Sequence, residues 1–230
     1  MADFPLLDAL AAASIARIAE FNSQNVGNTA WAFAALLCRN EPLLQAMAAA
    51  SLSKIDEFVP QELSNLAWAL ATLAVVDRPL MQAISAAAIS KIREFNSQHL
   101  AHIFWSFATL GIHDKPLLDA DASEAIRKMS EFKAQEVSNT AWACAKLGYA
   151  NKPLLQALAT AALSKIGDFV PQDFANIAWS FAKIGYVDAP LMKAMAFEAI
   201  PKIGDFNPQD LANTAWAVSL LRILDGNLMD

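Results

Sequence analysis

The chain has 230 residues, of which 56% are hydrophobic and 17% are charged, and its formal net charge is −6. This composition can fill a large core and excludes an intrinsically disordered protein. The negative charge argues against a simple polyanion-binding protein, because no overall positive field would attract phosphates. Polar residues interrupt every apolar run before it reaches membrane-spanning length, so we expect no membrane insertion.

The sequence repeats itself with a period of 37 residues. Six tryptophans keep this interval without insertion: Trp31, Trp68, Trp105, Trp142, Trp179 and Trp216. A fixed period of this length is typical of solenoid proteins. We therefore predict a single solenoid over 3–224, with the repeats 3–39, 40–76, 77–113, 114–150, 151–187 and 188–224. A truncated seventh repeat would start at 225–230, so we expect the sequence to be either an excerpt of a longer array or an array capped by another element.

Each repeat predicts a first helix that begins near a proline. An Asp or Asn suited to the N-cap comes first, and Pro follows within the first turn, where its missing N–H is tolerated. In the second repeat these are Asn40 and Pro42. The spacing of an amphipathic helix continues there through Leu44, Met47, Ala48, Ser51, Leu52 and Ile55.

A second helix follows in each repeat, after a break such as "EFVPQE" at 57–62. Proline near its first position and an acid just behind are typical of a helix N-terminus. Gly111, Gly148 and Gly185 follow this helix in repeats three to five, where a left-handed C-cap is expected. Alternation with a period of two never persists, so we predict an all-α fold, an α-solenoid of six αα-hairpins. The residues leave the superhelix handedness open.

The second helix of repeat two predicts two opposite faces. Its core side would be formed by Leu63, Leu66, Ala67, Leu70 and Leu73. The side opposite carries a polar stripe of Gln61, Asn65, Trp68 and Thr72, since these residues are separated by 4, 3 and 4 positions. We interpret the tryptophan as packing between neighbouring helices, because its sequence neighbours are mostly Ala or Ser and leave room for the indole.

Three columns of this stripe are candidates for contacting a ligand. The first is formed by Asn28, Asn65, His102, Asn139, Asn176 and Asn213, whose amides could equally form a ladder to adjacent backbone. The second contains Gln61, Gln98, Gln135 and Gln172, which could instead satisfy free N–H groups of the first turn. The third, four residues after the tryptophan, contains Thr72, Thr109, Lys146 and Lys183. The position after the glutamine differs between repeats, as we expect of residues that recognise different units of a ligand and that we call reading positions. It contains Asn25, Glu62, His99, Glu136, Asp173 and Asp210.

A basic residue recurs near the end of each first helix: Arg17, Lys54, Lys91, Lys128, Lys165 and Lys202. An acid follows three residues later in every repeat. We interpret these as solvated i,i+3 ion pairs rather than as a row of phosphate contacts, because the paired acids would weaken phosphate binding.

The sequence predicts neither a cofactor nor catalysis. His99 and His102 could begin a metal site, but no third ligand stands at helical spacing. Cys38 and Cys144 are far apart and form neither a disulfide framework nor a zinc knuckle. Glycine-rich phosphate loops and Ser/His/Asp patterns are missing from the sequence, so we do not expect an enzyme.

The segments "FNPQDLANTAWA" at 206–217 and "PLLQALATAALSKI" at 153–166 resemble the octotricopeptide and heptatricopeptide repeat families. The resemblance covers Asp3 to Leu224, and the 37-residue length is closer to the heptatricopeptide version. It implies an α-solenoid that recognises single-stranded RNA, not DNA, in a chloroplast or mitochondrion, with a role in RNA processing, stability, translation or ribosome assembly. The alternative is a peptide-binding or protein-binding scaffold subunit of a larger complex, for which a solenoid groove lined with amides is also suited.

Overall fold

The computed structural model describes the backbone of residues 5–224 and the side chains of residues 5–221. In this part the chain is all-helical, and each repeat forms an αα-hairpin, as the sequence predicts. The helices are α1 (Pro5–Ala16), α2 (Ser23–Ala35), α3 (Glu41–Lys54), α4 (Pro60–Thr72), α5 (Arg78–Ser90), α6 (Ser97–Leu110), α7 (Lys115–Arg127), α8 (Ala134–Leu147), α9 (Lys152–Lys165), α10 (Pro171–Ile184), α11 (Ala189–Ala199) and α12 (Pro208–Leu224). The expected N-cap Asp3 and the seventh repeat at 225–230 lie outside the described residues.

A short 3-10 turn ends the first helix of each repeat. These turns are Ile18–Glu20, Ile55–Glu57, Ile92–Glu94, Met129–Glu131, Ile166–Asp168 and Ile200–Asp205. A phenylalanine follows each turn, and in repeats two to six it is buried: Phe58, Phe95, Phe132, Phe169 and Phe206. The turn therefore redirects the chain while its aromatic residue anchors the corner in the core.

The helix termini form as the sequence predicts. In the first helices of repeats two to six, the Asp or Asn side chain accepts a hydrogen bond from the backbone N–H three residues on, as Asn40 does from Leu43 at 3.0 Å. Gly111, Gly148 and Gly185 adopt left-handed C-caps with φ of 66°, 64° and 74°. Leu37 and Ala74 take the same conformation in repeats one and two, where a side chain makes it less favourable.

The chain divides into two compact units. One comprises the chain up to Phe95 together with Asp114–Ala120, and the other comprises Asn96–His113 and the chain from Asp121 onward. In the first unit, α2 and α4 pack along their lengths, while the first helices contact one another more sparsely. In the second unit, α6, α8, α10 and α12 pack closely in succession, whereas α9 and α11 touch less. Within each unit the second helices are thus closer together than the first helices are.

Small residues allow this close approach of the second helices. The column four residues before the tryptophan contains Gly27, Ser64, Ala101, Ser138, Ala175 and Ala212. A Cβ atom added to Gly27 would lie 3.5 Å from Cα of Glu62 on the next second helix. Ser138 donates a hydrogen bond to Oδ1 of Asp173 in the same way, from α8 to α10. A large side chain in this column would push neighbouring repeats apart.

The leucine face of the second helices is buried, as expected. Leu63, Leu66 and Leu70 of α4 are at most 2% exposed. None of the helices in the described residues combines the length and apolar character needed to span a bilayer.

Asp121 is an exception in the core of α7, because its carboxylate is fully buried. The equivalent residues of the other first helices are apolar: Leu10, Met47, Ile84, Leu158 and Met195. Neither carboxylate oxygen of Asp121 has a hydrogen-bond partner in the described part of the chain. Burial, and then the neighbouring Glu124, raises the pKa of Asp121 well above its ordinary value. The hydrogen bond from Arg127 lowers the pKa of Glu124 to about 2, so Glu124 stays charged and opposes ionisation of Asp121.

Replacing this carboxyl group should stabilise the protein. The folded state keeps a proton on Asp121 that the unfolded chain releases above about pH 4. The free energy of unfolding therefore falls as pH rises from that value towards the folded-state pKa. We expect Asp121→Leu to raise the free energy of unfolding by about 2–4 kcal/mol at neutral pH. The variant should also lose the decrease in this free energy with rising pH. Thermal and urea unfolding at several pH values measure both effects.

Asp121→Asn provides the matched control, since it cannot titrate but leaves a polar group in the core. Asp121→Asn should make the free energy of unfolding less dependent on pH, but it should stabilise the protein less than Asp121→Leu does. Equal stability of the wild type and Asp121→Leu at neutral pH would contradict this account of the site.

Candidate ligand-binding face of the second helices

The second helices α4, α6, α8 and α10 are largely buried except along one stripe, which we call the polar stripe and which continues on the more exposed α2 and α12. It consists of the glutamine, asparagine and tryptophan columns and of the column four residues after the tryptophan. The six glutamines, from Gln24 to Gln209, are exposed, and the asparagine column is half-buried apart from the exposed Asn28. Lys146 and Lys183 are exposed, and Thr72 and Thr109 are half-buried. Because the second helices pack closely, neighbouring stripes lie side by side within each unit.

The amides of the asparagine column are not used by the fold in the described part of the chain. The side chains of Asn65, Asn139 and Asn176 are half-exposed and have no recorded hydrogen bond. The ladder to adjacent backbone, which was the structural alternative for this column, is therefore not formed by these three. Their role in contacting a ligand stays a prediction, with donors and acceptors free to make it.

The tryptophans reach solvent more than expected for packing residues. Trp31 and Trp216 are 50% and 46% exposed, and the four in between are half-buried. Each indole thus packs with one part and presents another part on the polar stripe. The ammonium groups of Lys146 and Lys183 lie 6.0 and 4.6 Å from the ring centroids of Trp142 and Trp179, as cation–π contacts along one helix.

The fourth column of the stripe differs between repeats. The hydroxyl oxygens of Thr72 and Thr109 are shielded from solvent, so these residues do not offer their polar atom at the surface. Lys146 and Lys183 place charged groups there instead. In repeats four and five this column can therefore contact a ligand through an exposed ammonium group. In repeats two and three it can offer a ligand only the apolar part of a threonine side chain.

Repeat three places His102 in the asparagine column. Burial lowers the pKa of His102, so at neutral pH it is an uncharged hydrogen-bonding side chain, as asparagine is. Burial also lowers the pKa of His99, with His102 and Lys128 adding to the effect. No group of three or more His, Cys, Asp or Glu side chains within the described residues is placed to hold a metal ion.

The position after the glutamine has a structural role at the start of each second helix. It is the third residue of each second helix, and its side chain accepts a hydrogen bond from the backbone N–H of the N-cap residue. Glu136, for example, accepts from the N–H of Lys133 at 2.9 Å. These residues thus have a capping role, and the reciprocal bond that completes a capping box forms in repeats one, three and six, where the N-cap residue is Asn. The interpretation of Asn25, Glu62, His99, Glu136, Asp173 and Asp210 as reading positions stays a prediction.

The basic column of the first helices also has a structural role. Lys54 donates to the carbonyl oxygen of Phe21 at 2.5 Å, and Lys91 donates to those of Asp56 and Phe58 at 2.6 and 2.7 Å. In the second unit, Lys202 reaches the carbonyls of Gly167 and Phe169 at 3.1 and 3.0 Å in the same manner. These lysines bind the 3-10 turn of the preceding repeat, so their interpretation as solvated i,i+3 pairs was wrong. Arg17 in repeat one does form that pair, with Glu20 at 2.6 Å.

The basic column is therefore not part of the candidate site. The amines of Lys54, Lys91 and Lys202 are occupied by backbone carbonyls of the preceding repeat, while Lys128 pairs with Glu124 of its own helix at 3.0 Å. The glutamines do not form the capping hydrogen bonds at the start of the second helices. The side chains of the N-cap residues and of the third helical residues form them instead.

The fold defines a helical-repeat protein, whose second helices present amides and indoles side by side. The chain belongs to the RNA-editing substrate-binding complex 6 protein family, whose model matches residues 6–230. The expectation of an RNA-related family of helical proteins is thereby confirmed, although the matching family is not named for octotricopeptide repeats. No curated protein shows significant similarity to the chain.

Removal of one inter-repeat lysine should lower stability. Lys91→Ala deletes two hydrogen bonds from a charged donor to backbone carbonyls, and we expect a loss of about 1–3 kcal/mol in the free energy of unfolding. Urea unfolding followed by circular dichroism measures it. Lys152→Ala, at an exposed position at the start of α9, should change little. If the two variants lost the same amount, the hydrogen bonds of Lys91 would not be holding the repeats together.

Proposed function

We propose that this protein is a non-catalytic RNA-binding subunit of an RNA-editing substrate-binding complex. Its polar stripe holds single-stranded RNA along the second helices of each unit. The observation that carries this proposal is the stripe itself, together with the family to which the chain belongs. Half-exposed indoles suit base stacking, and amides not used by the fold suit hydrogen bonding to base edges.

The amides also suit the recognition of RNA one base per repeat, as the resemblance to octotricopeptide and heptatricopeptide proteins implies. We infer a mitochondrial setting, which the editing family favours over a chloroplast. In such a complex the protein also contacts other proteins.

A second candidate function is that of a protein-docking scaffold. It is favoured by an apolar surface in repeat six, where Phe197 is 76% exposed and Ile200 is 70% exposed. The residues equivalent to Phe197 are small in every other repeat: Ala12, Ala49, Ala86, Ser123 and Thr160. The negative net charge also suits a protein partner more readily than RNA.

The asparagine column provides the most direct test. The triple variant Asn65→Ala, Asn139→Ala, Asn176→Ala should abolish RNA binding and leave the helical content nearly unchanged, because these amides are not used by the fold. Binding is measured by fluorescence anisotropy with labelled single-stranded RNA, and folding by circular dichroism. The matched control replaces three exposed glutamines of the first helices, Gln45, Gln82 and Gln156, by alanine.

The control variant should bind RNA as the wild type does. If the asparagine variant unfolds, and its residual folded fraction binds normally, the column is scaffold and the proposed reading face is wrong.

Salt dependence separates the two candidate functions. Binding to RNA should weaken linearly on a logarithmic plot against salt concentration, with a slope of about −0.7 for each phosphate contacted. A protein docked on the apolar surface of repeat six should bind with little salt dependence. RNA affinity that stays constant when the salt concentration is raised would speak against contacts with phosphates.

A further inference from the structure

The two lysines of the polar stripe stand in equivalent places on α8 and α10. Lys146 and Lys183 are each one residue before the end of their helix, and each is exposed. Seven residues earlier on the same helices lie Asn139 and Asn176, with Trp142 and Trp179 in between. Both helices belong to the second unit and pack directly against each other. The two stripes therefore present the same order of groups side by side.

No acidic side chain neutralises these lysines. Neither of them takes part in an ion pair within the described residues. Residues 142–152 contain no Asp or Glu, and the acid nearest to Lys183 along the chain is Asp188, whose carboxylate accepts the N-cap hydrogen bond of α11. The opposite edge of the stripe is different, because Glu131 and Asp168 are exposed in the 3-10 turns before α8 and α10, with Lys133 beside them. Positive charge is thus concentrated where these two helices end.

The cation–π contacts leave the lysines free to bind an anion. A contact with an indole face uses none of the ammonium hydrogens as a hydrogen-bond donor to oxygen. At an exposed site it is worth roughly 0.5–1 kcal/mol, enough to favour a position over the stripe. Lys183, at 4.6 Å from the centroid of Trp179, is held more closely than Lys146.

We propose that Lys146 and Lys183 bind successive phosphates of the RNA strand, while Asn139 and Asn176 face the bases. This inference rests on the proposed function and assigns the strand a definite placement on the second unit. Seven helical residues correspond to about 10 Å along the axis, comparable to the reach from a phosphate to the outer edge of its base. Each nucleotide then lies along a helix, with its sugar and base beside the half-exposed indole, and the strand crosses from α8 to α10.

The phosphate contacts are confined to repeats four and five. The same column contains Ala35 and Thr72 in the first unit and Thr109 in repeat three, which have no positive charge to offer. Leu220 in repeat six has none either. On α8 and α10 the same helix therefore offers a lysine to a phosphate and an amide to a base. The other second helices have no lysine in this column.

The test uses fluorescein-labelled RNAs of about 12 nucleotides, each made of a single base type, and the full chain. Lys146→Gln with Lys183→Gln should weaken binding to all of them by a similar factor, at least about tenfold in low salt, because phosphates carry no sequence information. The salt slope should become shallower by about 1.4, for two phosphates on a single strand. Asn139→Ala with Asn176→Ala should instead change the order of preference among the RNAs and leave the salt slope unchanged.

The matched control removes the same charge outside the polar stripe, with Arg78→Gln and Lys193→Gln, both exposed on first helices. Its salt slope should equal that of the wild type. If the control lowered the slope as much as the Lys146 and Lys183 variant does, or if that variant kept the wild-type slope, the phosphate placement would be overturned although RNA binding stood. Wild-type protein that bound none of the RNAs would overturn both this placement and the proposed function.

Discussion

The close approach of successive second helices is the constraint on which the rest of the structure depends. Gly27 of α2 has no side chain, so the backbone of α4 at Glu62 can pack directly against it. Between α8 and α10, Ser138 donates a hydrogen bond to Asp173. The first helices contact one another more sparsely, so the second helices form the tightly packed layer of each unit. Their single exposed stripe is thereby brought next to the stripe of the neighbouring repeat, which makes one surface from separate helices.

The same stacking decides which lysines are available to a ligand. Two basic columns look alike in the sequence, since both recur near a helix end. Lys91 lies where the stacked hairpins meet, and the carbonyls of the preceding 3-10 turn need a donor there, so its amine is occupied. Lys183 lies on the exposed stripe, where its nearest partner is an indole face. The difference arises from contacts between repeats and not from residue type.

Features set within one repeat could be predicted from the sequence, and features set between repeats could not. The helix starts, the left-handed glycine caps and the buried leucine face depend on neighbours a few residues away. The lysine contacts span 33 to 35 residues, so no pattern within a repeat reveals their acceptors. The capping role of the position after the glutamine was missed because Asn25, Glu62 and His99 differ chemically, although a capping box requires only an acceptor there. Asp121 could have been found by comparing α7 with the other first helices.

The negative charge of the chain is compatible with RNA binding once the acids are located. Asp77 and Asp188 cap first helices, while Asp173 and Asp210 are buried at the start of second helices, where each accepts a hydrogen bond from the N–H of the N-cap residue. These carboxylates interact with helix N-termini, where the backbone N–H groups and the helix dipole favour an anion. The polar stripe itself carries amides, indoles and two lysines. With so little positive charge, the proposed complex with RNA would gain little from attraction at a distance, and a larger share of its affinity would come from stacking and from hydrogen bonds to base edges. Such contacts discriminate among sequences, whereas a strong positive field would hold any RNA.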